Sequence, residues 1–233
     1  MKTIGLLGGM SWESTVDYYR AINEGVKDAL GGLHSAEIVL HSVDFEPIEA
    51  LQHRGDWDGA AALLSQAARG VQRAGADFLL ICTNTMHRVA PEIQQAIDIP
   101  LLHIADATAD VLVSDGVETV GLLGTAFTME QDFYRGRLRD RYGLDVRVPR
   151  QRDRKRVHDV IYQELCLGRV EDASRAEYLR IIDGLAADGA EAVILGCTEI
   201  AMLVRQSDTP VRLYDTTAIH AATAVERALA GGS

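Results

Sequence analysis

The sequence predicts an α/β fold of two pseudo-symmetric lobes, each a mostly parallel sheet flanked by helices, with an active site in the cleft between them. Three observations predict it. The first is an internal repeat: Thr3-Ile4-Gly5-Leu6-Leu7-Gly8 returns 116 positions later as Thr119-Val120-Gly121-Leu122-Leu123-Gly124. Likewise Gly75-Ala76-Asp77-Phe78-Leu79-Leu80-Ile81-Cys82-Thr83-Asn84 returns 114 positions later as Gly189-Ala190-Glu191-Ala192-Val193-Ile194-Leu195-Gly196-Cys197-Thr198. A third echo pairs Pro100 with Pro210 and Asp106-Ala107-Thr108-Ala109 with Asp215-Thr216-Thr217-Ala218. The second observation is that short β-branched and leucine-rich runs alternate with longer amphipathic ones, the pattern of βα units. The third is that runs such as Phe78-Leu79-Leu80-Ile81 are apolar without alternation, as expected of parallel strands buried on both faces.

Taken in order, strands are expected near 3 to 7, 36 to 41, 77 to 82 and 100 to 103, and again near 118 to 123, 144 to 148, 191 to 196 and 211 to 214, with helices in the gaps. A chain of 233 residues accommodates two lobes of roughly 100 residues each. Because the last echo lies at the C-terminus, the final strand and helix are expected to return to the first lobe. The lobes would then be 1–103 plus 210–233, and 104–209. Right-handed crossovers put the strand-end loops of each sheet on one edge, where ligands bind in such folds.

Composition narrows the function. Hydrophobic residues make up 47% and charged residues 24%, ordinary values for a globular protein. No apolar run reaches the ~18 to 20 residues of a membrane span, and Met1-Lys2-Thr3 leads directly into a strand without room for a signal peptide. A cytoplasmic protein with no membrane partner is expected. The net charge of −11 speaks against a nucleic-acid partner, since phosphate backbones select basic surfaces. Arg147, Arg150, Arg152, Arg154, Lys155 and Arg156 form a local exception. They read either as a solvated polar loop or as a mobile basic segment over an anionic small-molecule site. Three cysteines without CxxC spacing give no disulfide framework, and seven scattered histidines give no metal site.

Two strand-to-helix junctions carry the chemistry. Cys82-Thr83-Asn84-Thr85-Met86-His87 is one, and Gly196-Cys197-Thr198-Glu199 is the other. Asn84 or Thr85, and Thr198, are natural N-caps, so the residue before each lies near the free amides of a helix N-terminus. A thiolate is favoured there, which makes Cys197 a general base or nucleophile; the plainer reading is a buried, inert cysteine. In the register of the repeat Thr83 aligns with Cys197. One proton-handling side chain from each lobe suits chemistry that needs an acid and a base on opposite faces of a single carbon. Side chains alternate along a strand, so Cys82 should point into the core if Thr83 does not. Cys166, in a predicted helix, reads as a packing residue. His87 and His103 are either satisfied core or surface residues or groups that tune the site. Glu199 either orients Cys197 or a substrate ammonium, or is simply a first-turn acid favoured by the helix dipole. The glycines of Gly5-Leu6-Leu7-Gly8-Gly9-Met10-Ser11 serve either a tight turn or an anion cradle.

Gly8-Gly9-Met10, Thr83-Asn84-Thr85-Met86-His87 and Leu195-Gly196-Cys197-Thr198-Glu199-Ile200 together resemble the aspartate/glutamate/hydantoin racemase superfamily, in its aspartate racemase branch. Further likeness to an enterobacterial racemase subgroup runs through Gly8 to Ser14, Leu40 to Phe45, Met129 to Leu138 and Ala218 to Ala221. The resemblance implies cofactor-independent inversion at an amino-acid α-carbon, a small-molecule amino-acid substrate and a homodimer. It implies Thr83 and Cys197 as the proton-transfer pair, with Met10, Gln52, Asn84, Thr85, Thr198 and Glu199 contacting substrate. The wider superfamily usually has a cysteine where this chain has Thr83, a departure that the enterobacterial subgroup shares.

No cofactor and no metal are expected. A pyridoxal route needs a Schiff-base lysine, and the three lysines, Lys2, Lys27 and Lys155, lie outside the motifs. A threonine hydroxyl is a weaker acid than a thiol by roughly five pKa units, a handicap of ~7 kcal/mol if it must become an alkoxide. Slow turnover is expected. Two rival readings are a same-fold decarboxylase or cis-trans isomerase using Cys197 alone, and a non-catalytic amino-acid-binding protein.

Overall fold

A computed structural model describes residues 1–230 and divides into two compact units. One runs from Met1 to Ile104 and resumes at His220; the other is Ala105–Ile219. The chain therefore passes between units twice.

In the first unit the order is β1 (Ile4–Gly8), α1 (Trp12–Leu30), β2 (Ile38–Ser42), α2 (Phe45–Arg54), α3 (Trp57–Arg73), β3 (Phe78–Ile81), a 3₁₀ turn (Thr85–Val89), α4 (Ala90–Gln95) and β4 (Leu101–Leu102). The four strands form one parallel sheet in the order β2-β1-β3-β4. Alternate residues of the same strand feed two separate cores. Leu7, Leu79 and Ile81 pack with Leu64, Ala68 and Val71 of α3 and with Ile93 of α4, whereas Ile4, Leu6, Phe78, Leu80 and Cys82 pack with Tyr18, Ile22 and Val26 of α1. Both faces are covered, which is why these strands are apolar throughout. Each fully buried aliphatic side chain contributes about 1.5–3 kcal/mol.

Helix α5 (Ile104–Ser114) leads into the second unit, which continues with β5 (Thr119–Gly124), α6 (Ala126–Glu130), α7 (Asp132–Tyr142), β6 (Asp145–Arg147) and α8 (Gln151–Gln163). It then runs through a 3₁₀ turn (Leu165–Leu167), α9 (Asp172–Ala187), β7 (Ala192–Gly196), α10 (Ile200–Leu203), a 3₁₀ turn (Gln206–Asp208), β8 (Arg212–Asp215) and the start of α11 (Thr216–Leu229). Its parallel sheet has the order β6-β5-β7-β8, the same as in the first unit. The repeat in the sequence is thus a repeat of topology.

The boundary expected at residue 209 is displaced. β8 pairs with β7 through Ala192↔Arg212 to Leu195↔Asp215, so residues 210–219 belong to the second unit. Only α11, from His220 onward, returns to the first, where Ala221, Ala224, Val225 and Ala228 complete the core around Tyr18 and Phe78. The Lys2 amide donates to the Ala228 carbonyl at 2.9 Å, tying the two ends of that unit together.

The basic segment 147–156 is not a loop. From Gln151 it is helical, because Val157, Val160 and Ile161 give α8 a buried stripe. No described helix is long and apolar enough to cross a membrane.

Candidate functional site

Parallel pairing of β1 with β3, Leu7 opposite Ile81, brings the turns that follow them to one edge of the first sheet. The Cys82 amide continues the ladder, donating to Leu7 O at 2.9 Å. After β1 the chain turns through Gly9, at φ +91°. A Cβ there would sit 2.1 Å from the Val43 carbonyl oxygen, so the turn needs glycine both for its backbone angle and for space. Ser11, at φ 70°, is the one non-glycine residue with positive φ among the described residues. Such strain concentrates at functional turns, where surrounding contacts hold it. Here the Gly9 amide donates to Thr15 Oγ1 at 2.9 Å and the Ser14 hydroxyl to Ser11 O at 3.0 Å.

Met10 is buried in a cluster with Ile48 and Met86. Gln52, on α2, is also buried and its Nε2 donates to Met86 Sδ at 2.8 Å. Thr83 is half-buried, while Asn84 and Thr85 are buried beside it. Asn84 stands at the cap position of the 3₁₀ turn but makes no side-chain cap bond. Met10, Gln52, Thr83, Asn84 and Thr85 thus all belong to the first unit, at or behind its strand-end turns. Cys82 is 1% exposed in the core with Tyr18 and Phe78, and burial pushes its thiol far above the ordinary range. It faces away from the turn, as strand alternation requires.

In the second unit Gly124 and Gly196 lie opposite each other at the ends of β5 and β7. A Cβ on Gly196 would approach Leu123 O to 2.8 Å. The glycine before Cys197 therefore lets the two strand ends close up. At the end of β5, Thr125 caps α6 by accepting from the Thr128 amide at 3.3 Å, and the Ala126 amide donates to His158 Nδ1 at 3.2 Å.

Cys197 differs from the expectation. Its Sγ donates to Glu199 Oε2 at 2.8 Å, and the Thr198 hydroxyl donates to the same oxygen at 2.8 Å. All three residues are buried. Glu199, not Thr198, takes the cap position, and the helix behind it, α10, has only four residues. Little dipole is available to favour a thiolate. Burial first, then the Glu199 carboxylate, and then Cys166, push the Cys197 thiol well above its usual value. The group is a neutral thiol hydrogen-bonded to a proton acceptor. Cys166 lies in the 3₁₀ turn after α8 rather than in a helix.

The basic residues of 147–156 are largely engaged in ion pairs: Arg147 with Asp145, Arg154 with Glu130, Lys155 with Asp159 and Arg156 with Glu164. Arg150 and Arg152 instead line a cavity of about 620 Å³ with Asp153, Arg156, Glu177 and Arg180. None of the strand-end candidates lines it.

The Asp/Glu/hydantoin racemase family profile matches residues 7–224, and the chain belongs to that family. A racemase is an isomerase, and the fold of twin parallel sheets is the family's. A crystal structure of a provisionally assigned Asp/Glu racemase from Yersinia pestis is 55% identical, with a TM-score of 0.92 over 98% of this chain and 100% of that one. An aspartate racemase homologue from Pyrococcus horikoshii is 33% identical, with a TM-score of 0.85 over 98% of this chain and 100% of that chain. A broad specificity amino-acid racemase from Bacillus subtilis is 22% identical over 235 residues, 97% of this chain and 98% of its own.

Sequence reasoning missed two contributors. His220 lies in a segment that carried the resemblance, Ala218 to Ala221, but nothing there signals its bonds: its Nδ1 accepts from the Tyr18 hydroxyl at 2.8 Å and its Nε2 donates to Leu102 O at 2.9 Å. Nor is there a local signal for His158. The hydrogen-bond partners described for both lie far away in the chain.

Proposed function

We propose that this chain is a cofactor-independent amino-acid racemase, acting on aspartate, glutamate or a broader set of amino acids, with Cys197 and Thr83 as its proton-transfer pair. The observation that carries the reading is the Cys197–Glu199 hydrogen bond. A buried thiol with a carboxylate at 2.8 Å has both a proton to give and a place for that proton to go. Racemisation breaks the α-carbon–hydrogen bond on one face and returns a proton on the other, so it needs two such groups.

In the direction that uses Cys197 as acid, its S–H proton passes to the α-carbanion and leaves a thiolate. The reverse direction is the same path run backwards. It starts from that thiolate, formed from the resting pair when the S–H proton moves to Glu199, and the sulfur accepts the α-proton. Glu199 holds one proton in both directions, taken from Thr83 through water when Thr83 is the base. Thr83 serves the opposite face, giving or taking a proton through its hydroxyl, with a water relay easing the ~7 kcal/mol handicap of an alkoxide. Backbone amides and hydroxyls of Asn84, Thr85 and Thr198 stabilise the charge that develops on the substrate carboxylate, and Met10, Gln52 and Glu199 complete the substrate contacts.

A Schiff-base route finds no support in the lysines. Lys2 and Lys27 are exposed at a strand start and on α1, and Lys155 is exposed and paired with Asp159. A cytoplasmic homodimer acting on a small-molecule substrate completes the reading, the dimer resting on the resemblance to the family alone.

The test is proton NMR of an amino-acid panel, both enantiomers, incubated with the protein in deuterium oxide without added cofactor. The expected result is loss of the α-proton signal together with appearance of the opposite enantiomer. A panel in which no amino acid takes up deuterium at the α-carbon would sink the reading.

A further inference from the structure

His87 is 1% exposed, and both of its ring nitrogens are committed. Nδ1 lies 2.8 Å from the Thr83 carbonyl oxygen, which can only accept, so Nδ1 carries the proton. Nε2 accepts from the Ile104 amide at 3.2 Å, so Nε2 is bare. These two bonds define a neutral imidazole of one tautomer. They also join two distant pieces of backbone. Thr83 is the second residue past β3, and Ile104 is the first residue of α5, where the first unit ends.

The Thr83 peptide is held on both sides as a result. Just before it, the Cys82 amide is fixed to Leu7 O at 2.9 Å; just after it, the Thr83 carbonyl is fixed by His87. The carbonyl end has no strand partner, because β3 stops at Ile81. The ring also caps α5, whose first amides have no intrahelical acceptor. His103 packs against it at 4.5 Å between ring centroids, and the ring of His220, itself bound to Tyr18 and Leu102, stands 6.0 Å away. The imidazole therefore sits in a buried frame with little freedom to shift.

We propose that His87 is the positioning residue for Thr83: by clamping the Thr83 carbonyl to the start of α5, it sets the direction in which the Thr83 hydroxyl is presented to the substrate α-carbon. The proposal rests on the racemase reading above. It requires no proton transfer by His87 itself. A hydroxyl that is a poor acid depends more on geometry than a thiol does, and a misplacement of about 1 Å can cost on the order of 100-fold in rate.

The two bonds separate by substitution. His87→Asn keeps a donor at the Nδ1 position and loses the acceptor for Ile104; His87→Gln does the reverse; His87→Ala loses both. Each variant is incubated with the best substrate in deuterium oxide. Deuterium retained in the starting enantiomer is counted separately from deuterium in the inverted one. For the starting enantiomer whose α-hydrogen faces Cys197, retained label needs only the Cys197 face, whereas inverted label needs both faces. Expected are a fall in the inverted-to-retained ratio of about 10- to 100-fold in His87→Ala and His87→Gln, retained exchange close to wild type, and substantial recovery of the ratio in His87→Asn. A purely structural role would lower both counts together, and that outcome, or an unchanged ratio in all three variants, overturns the proposal. If wild-type protein incorporates no deuterium into any amino acid, the racemase reading fails and this inference falls with it. Should the variants not fold, ¹⁵N-histidine spectra of the native protein decide. A proton on Nδ1 of His87 is expected, and a proton on Nε2 overturns the clamp.

Discussion

The thiol of Cys197 is hydrogen-bonded to the carboxylate of Glu199, two residues further on, across 2.8 Å. This pair inverts the usual logic of a strand-end cysteine. Burial and the neighbouring carboxylate hold the proton on sulfur, so the resting site is an acid with a built-in acceptor rather than a preformed thiolate.

The pH dependence should show it. A raised thiol pKa leaves little thiolate at neutral pH, so activity in the direction that needs Cys197 as base is expected to climb with pH and not to level off near the usual thiol value. Glu199→Gln removes the negative charge that holds the thiol up. Thiolate absorbance at 240 nm, taken as the difference from Cys197→Ser, should then appear at lower pH than in wild type. An unmoved or upward-moved titration would count against the pair.

Cysteine variants separate core from chemistry. Cys197→Ala is expected to abolish α-proton exchange, whereas Cys82→Ala should keep most activity and cost about 1 kcal/mol of stability through lost packing. Thr83→Ala should weaken inversion far more than retained exchange, and Thr83→Cys should speed inversion and make its two directions more alike. Steady-state rates in both directions, read by polarimetry, check inversion in all four, and proton NMR in deuterium oxide checks the exchange. Equal damage from Cys82→Ala and Cys197→Ala would contradict the assigned faces.

His220 should couple stability to pH. Burial lowers its pKa from 6.5 to about 4. Between these values the unfolded chain binds more protons than the folded one, so stability is present above pH 6.5 and is lost as pH falls toward 4. The loss is roughly 3 kcal/mol, saturating below that window. Urea titrations from pH 7 to pH 4 should show a shallower decline in His220→Gln. Parallel declines would argue that other groups dominate.

Gly9 and Gly75 offer a matched comparison, with φ of +91° and +98°. An alanine Cβ at Gly75 meets nothing within 4 Å, but at Gly9 it meets the Val43 backbone at 2.1 Å. Gly75→Ala is expected to cost ~1 kcal/mol from its backbone angle alone, and Gly9→Ala about 3 kcal/mol or more. Chemical denaturation of the two variants measures the difference. Equal losses would mean that the angle, and not the close approach, governs the turn.

All eight strands were legible, but on two kinds of signal. The central β1, β3, β5 and β7 are short apolar runs buried on both faces, whereas the partly exposed edge strands β2, β4, β6 and β8 followed from the alternation of strands with helices and the echo between halves. The α8 helix was not. Its first turns are charged, and only Val157, Val160 and Ile161 carry a helical stripe, so charge density masked periodicity. Placing β8 required knowing its pairing partner, and a faint echo in sequence cannot supply that. Strand alternation correctly sent Cys82 inward. The thiolate expected at Cys197 fails because capping rules describe a helix start in isolation; the other reading the sequence offered, that Glu199 orients the sulfur, is the one the hydrogen bond matches. The histidines stayed ambiguous for a related reason: His87 reaches Ile104 and His220 reaches Tyr18, across 17 and 202 positions.

The return of α11 has a consequence for biosynthesis. Ala221, Ala224, Val225 and Ala228 fill the core around Tyr18 and Phe78, so the N-terminal sheet leaves the ribosome with the wall that α1 begins still incomplete. The middle of the chain can finish folding while that apolar surface is still uncovered. The half made first is the half completed last, and a chain cut before His220 would lack these four side chains from its N-terminal core.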